Sequence, residues 1–149
     1  MSDTLIAALG SLFVSTFLAS TLLPGGSEVV LAGLAATDTA SAVSLLIVAT
    51  LGNTLGGMTS WGIGCWLRHR YPGRSLNRPG TQRALAWMER HGGPVLLFAW
   101  LPVVGDPLCL VAGWLRIHPV AAALYIGIGK GARYAIVLLA VDAIGQFNQ

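Results

Sequence analysis

Two apolar stretches of this chain are interrupted in the same way, and the interruptions limit what it can fold into. The first reads Leu22-Leu23-Pro24-Gly25-Gly26-Ser27-Glu28 and the second Trp100-Leu101-Pro102-Val103-Val104-Gly105-Asp106. In both, a carboxylate lies four residues after a proline. In both, an apolar run with Ala-Gly follows, Ala32-Gly33 in one and Ala112-Gly113 in the other. Proline and glycine break a helix. A carboxylate in an apolar segment needs a partner or water. A simple bundle of unbroken helices does not account for this pattern.

The setting of these breaks is a membrane. Only 10% of the 149 residues are charged and 54% are hydrophobic, whereas a soluble domain carries about 25% charge. Mean hydropathy is +0.69. In water such a chain would expose large apolar patches. The length suits one domain, residues 1–149. Cys65 and Cys109 lie in apolar segments without metal-ligand or redox spacing, and read as small buried hydrophobes. The N-terminus lacks a positive leader region, so the first apolar segment is expected to be retained.

The apolar segments differ in reach. Residues 4–23 and 119–144 can span a bilayer, as can 42–67. The stretch after Glu28 is too short, as are those on either side of Pro102. They predict two re-entrant helical hairpins, over about 24–40 and 94–116. Between them, Arg68, Arg70, Arg74, Arg78, Arg83 and Arg90 meet a single acid, Glu89. Flanked by apolar helices, this basic loop over 68–91 is expected to face the cytoplasm and anionic headgroups, not nucleic acid. Residues 81–91 predict a short amphipathic helix at the interface, with Leu85 and Met88 on its apolar side. The five tryptophans, Trp61, Trp66, Trp87, Trp100 and Trp114, are expected as interface anchors. The two hairpins would enter from opposite faces, in the manner of an inverted repeat.

Glu28, Asp106, Lys130 and Arg133 are the charges expected at membrane depth. An unpaired charge at mid-helix costs about 2.5–3.5 kcal/mol on insertion scales. They should therefore face one another or a wet cavity. Lys130 and Arg133 are three residues apart and predict a shared helix face. The acids also suit the first turns of half-helices, where free N–H groups and the macrodipole favour them. Arg133 is the best phosphate clamp, because its guanidinium matches phosphate oxygens. Asn53 belongs to a small, polar half-segment that reads either as tight helix packing or as a pathway lining. Gly52/Gly56 and Gly127/Gly131 are small-residue faces that could join two protomers of a homo-oligomer. Gly127-Ile128-Gly129-Lys130-Gly131 lacks P-loop spacing. His69, His91 and His118 have no metal-ligand spacing. No enzyme, cofactor or metal chemistry is expected.

On these residues the chain resembles the DedA/VTT family of membrane proteins, in its short YqaA-like branch. The resemblance rests on Leu23 to Leu31, on Gly52-Asn53-Thr54-Leu55-Gly56-Gly57, on Trp100 to Asp106 with Ala112-Gly113, and on Gly129-Lys130 with Arg133-Tyr134. It implies an all-α polytopic fold with two inverted re-entrant hairpins in the bacterial cytoplasmic membrane. It further implies translocation or scrambling of lipids, including polyprenyl phosphate carriers, coupled to protons. Typical members carry an acid where this chain has Gly57, and arginines where it has Ala99 and Gly105. Glu28, Asp106, Lys130, Arg133 and Asn53 are the expected substrate- and ion-binding residues, with Lys130 and Arg133 replacing the missing arginines. The other reading is a non-transporting membrane assembly factor.

Overall fold

The computed structural model describes residues 2–21, 26–37, 40–72, 78–101 and 104–147, and among these every regular element is helical. The helices are α1 (Ser2–Thr21), α2 (Gly26–Ala36), α3 (Ala42–Arg70), α4 (Pro79–His91), α5 (Gly105–Trp114) and α6 (Pro119–Phe147). A 3-10 helix, Gly93–Trp100, stands between α4 and α5. Pro24 and Pro102, the prolines of the two breaks, lie outside the described residues, as do Gly25, Val103 and Arg74.

Three helices, α1, α3 and α6, are long and apolar enough to cross a membrane. Helix α2 has 11 residues and α5 has 10. At about 1.5 Å per residue, each covers roughly half of a ~30 Å hydrocarbon core.

Local chemistry sets the ends of these elements. Ser41 caps α3, its side chain accepting from the Ser44 amide at 3.2 Å. Pro79 opens α4, and Gly92 closes it at a φ of 71°. Helix α5 ends differently. The Ile117 and Arg116 amides turn back to the carbonyls of Ala112 and Gly113, at 2.9 and 3.0 Å. This is a Schellman cap whose left-handed position, at a φ of 57°, is held by Arg116 instead of glycine.

Helix α3 is the central column, against which α1, α5 and α6 all pack. Its small residues make that possible. A Cβ on Gly56 would sit 2.6 Å from Ser20 Cβ and 2.8 Å from the Phe17 carbonyl of α1. On the α5 side the crossing is closer still. Gly113 lies against the Trp61 carbonyl and Gly64 against the Leu110 carbonyl, so neither position has room for a methyl group. Gly127 and Gly131 of α6 meet Thr54 and Thr50 of α3. Both small-residue faces expected to join protomers thus meet other helices of the same chain, Gly52 and Gly56 against α1 and Gly127 and Gly131 of α6 against α3.

The core forms two clusters. One gathers Leu12, Leu31, Leu45, Ala49 and Tyr134 from α1, α2, α3 and α6. The other gathers Met88, Leu96, Leu108, Val111 and Ile126 from α4, the 3-10 helix, α5 and α6. The amphipathic helix appears as expected. On it, Thr81, Ala84 and Met88 are buried where α4 packs on α5 and the 3-10 helix. The tryptophans also divide. Trp66, Trp87 and Trp100 are exposed, but Trp114 is buried and Trp61 donates its indole N–H to the Ile117 carbonyl at 3.1 Å. Both sit in the packed α3–α5 crossing.

Candidate functional site

One turn of α6 ties most of the molecule together. Lys130, Arg133 and Tyr134 stand at i, i+3 and i+4 and so project from one side of the helix. Between them they contact α1, α2, α3 and the 3-10 helix.

Arg133 reaches outward. One end of its guanidinium pairs with the Glu28 carboxylate in the first turn of α2. The other end donates to the Trp100 carbonyl at 3.1 Å, at the C-terminus of the 3-10 helix. An arginine suits such a helix end, where carbonyls lack partners. The pair is only partly covered, with side-chain exposures of 20% for Arg133 and 29% for Glu28. Glu28 follows the first break and Trp100 precedes the second, so one side chain bridges the two broken regions.

Lys130 reaches inward and is 3% exposed. Its ammonium donates to Ser20 Oγ at 2.5 Å, Asn53 Oδ1 at 2.6 Å and the Asn53 carbonyl at 3.0 Å. Three donors therefore meet three acceptors. All three acceptors are neutral. The Asn53 amide passes the polarity on, donating from Nδ2 to the Tyr134 hydroxyl, which donates to Ser27 Oγ at 3.1 Å. With its oxygen turned to the ammonium, the amide can only present its nitrogen to the phenol. The chain Lys130–Asn53–Tyr134–Ser27 ends at the residue that precedes Glu28 in α2.

The two expected acid–cation pairs are not equivalent. Glu28 and Arg133 meet directly. Asp106 lies within electrostatic reach of Lys130 but forms no described hydrogen bond or ion pair with it. It sits in the first turn of α5, where the macrodipole favours a carboxylate, but α5 has no side-chain cap bond. Lys130 and Arg133 share a side of α6 yet point to different neighbours, because α1 and α3 crowd one edge and α2 the other.

The positions at which the DedA/VTT resemblance implies charge, Gly57, Ala99 and Gly105, are also placed. A Cβ on Gly57 would lie 3.3 Å from Lys130 Nζ and 3.4 Å from Cys109 Sγ. Ala99 is buried and Gly105 is pressed against the Ala99 carbonyl, so position 105 is closed to a long side chain. The Arg133 guanidinium of α6 reaches the neighbouring Trp100 carbonyl.

Ser20, Ser27 and Tyr134 belong to the network although their types alone do not single them out. The available signal is spacing. Tyr134 is one turn from Lys130, and Ser27 directly precedes Glu28. Ser20 is one of several hydroxyl residues in α1, and only the close α1–α3 packing selects it.

Among curated proteins, the chain is similar to the inner membrane protein YqaA of Escherichia coli (strain K12), 42% identical over 140 residues and spanning 94% of each chain. The protein of the same name from Shigella flexneri matches to the same extent. A protein of Haemophilus influenzae, described as uncharacterized, is 40% identical over 134 residues, 85% of this chain and 83% of that one. No family model matches the sequence, and no solved structure matches it.

Proposed function

Because the chain belongs to the family of the inner membrane protein YqaA, we propose that it translocates or scrambles an anionic lipid or small anion across the bacterial inner membrane, with proton coupling. The carrying observation is the turn Lys130–Arg133–Tyr134. Packing alone does not require a buried ammonium and a partly exposed guanidinium within one turn of a helix long enough to span. Arg133 would take the anion's oxygens in place of Glu28, since both are partly exposed and the exchange conserves charge. In this reading the DedA/VTT resemblance extends to mechanism. Helix α2, and the 3-10 helix with α5, act as two re-entrant hairpins; residues 68–91 face the cytoplasm; membrane lipids are the partners.

The experiment is flux of a lipid phosphate in reconstituted liposomes, with and without a pH gradient. Flux that falls in Arg133→Ala and Lys130→Ala supports the reading. No flux under any gradient rejects it.

A second reading has its own support. Both Arg133 contacts and all three Lys130 donors are satisfied within the chain. A non-transporting assembly factor would need only this. It predicts that exchanging Glu28 and Arg133 preserves the growth phenotype, which a transporter would not tolerate.

A further inference from the structure

Of the nine Lys and Arg residues in the sequence, only Lys130 is a lysine. It is also the buried one, at 3% exposure. Arginine serves at the other eight positions, and arginine does not give up its proton in proteins. The residue that can do so stands alone at the centre of the helix assembly.

Its surroundings suit a group with two protonation states. Two of its acceptors, Asn53 Oδ1 and the Asn53 carbonyl, can only accept. The third, Ser20 Oγ, is a hydroxyl that can turn to donate. As an ammonium, Lys130 gives three hydrogen bonds. As a neutral amine it would give two, to Asn53, and receive one from Ser20. No heavy atom need move. The other groups around it are Asp106 and Cys109 on α5, Arg133 and Tyr134 on its own helix, and Glu28 and Ser27 at the far end of the chain on α2. Glu28 is held by Arg133, and Asp106 makes no described bond to the ammonium.

We propose that Lys130 is a proton-exchanging group of this site, with Ser20 as its relay. The ammonium passes one proton to Ser20 Oγ while the Ser20 hydroxyl releases its own to water. One proton leaves in total, the charge falls by one, and the amine lone pair accepts the hydroxyl hydrogen bond. The link to transport rests on the function proposed above; the protonation chemistry does not.

A single lysine makes the test specific. Protein labelled with 15N-lysine and held in lipid nanodiscs has one Nζ resonance, which distinguishes ammonium from amine. Both forms should be seen across the pH range in which the protein stays folded. Ser20→Ala, which removes the relay, should slow the exchange of the Nζ protons with water, and Ser20→Thr should restore it. A wild-type resonance that stays ammonium throughout overturns the proposal, as does unchanged exchange in Ser20→Ala. The liposome assay separates this from the transport reading. If wild type carries lipid phosphate and Lys130→Arg does so with the same pH dependence, the lysine proposal fails and transport stands. If Nζ exchanges but neither wild type nor any variant carries lipid phosphate, transport fails and the lysine proposal stands.

Discussion

Asn53 is the most informative residue to perturb, because one amide serves a charge on one side and a phenol on the other. In Asn53→Ala, the Lys130 ammonium loses its Oδ1 acceptor and the Tyr134 hydroxyl loses a donor. A hydrogen bond to a charged group contributes about 1.5–3 kcal/mol. A neutral bond between membrane helices averages about 0.6 kcal/mol, since the dispersed helices find other partners. The expected cost is therefore about 2–4 kcal/mol. The two contributions separate in a Lys130→Met background. With no ammonium to strand, Asn53→Ala should then cost only about 0.6 kcal/mol. The coupling energy of the cycle should be about 1.5–3 kcal/mol, within the range for residues in one network. Reversible unfolding in mixed micelles, by denaturing-detergent titration, measures all four corners. Equal costs of Asn53→Ala in both backgrounds would refute the view that Asn53 acts chiefly as the lysine's acceptor.

Other expectations concern the frame that holds this network. Gly113→Ala should prevent the α3–α5 crossing, because a methyl there falls on the Trp61 backbone carbonyl; Gly33→Ala meets nothing within 4 Å and should leave folding intact or improve it. Yield of monodisperse protein after detergent extraction reads both. Arg116→Gly should stabilise the protein by about 1–2 kcal/mol in the same unfolding titration, since it relieves a left-handed backbone at the α5 cap. Met88→Ala empties a fully packed position between α4 and α5 and should cost about 2–5 kcal/mol. An α4 that merely lay on the membrane surface would show no such loss.

Much of the architecture can be read from periodicity and punctuation. The three long apolar segments are bounded by Pro24-Gly25-Gly26, by Thr37-Asp38-Thr39, by the arginine run and by His118-Pro119, and the helices begin or end within a few residues of those signals. Chain breakers act locally, so local sequence places them. The short amphipathic helix 79–91 is equally legible, as is the presence of Lys130 and Arg133 on one helix. The side on which an amphipathic helix finds its cover is not. Membrane lipid and a neighbouring helix are alike to an apolar stripe, and Met88 packs on α5 because that surface is within reach.

The sequence by itself determined an all-helical membrane protein with two broken segments and a small set of charges that require compensation. Those conclusions follow from composition, segment length and the cost of charge in hydrocarbon, none of which needs a third dimension. Tertiary structure decided the pairing. Arg133 took Glu28 and the Trp100 carbonyl, whereas Lys130 took Ser20 and Asn53 and left Asp106 at a distance. That choice depends on Gly52 and Gly56 letting α1 close on α3, which carries Ser20 to the lysine. Hydrogen bonds act over a few ångströms, and the packing of backbones sets which groups come within that range.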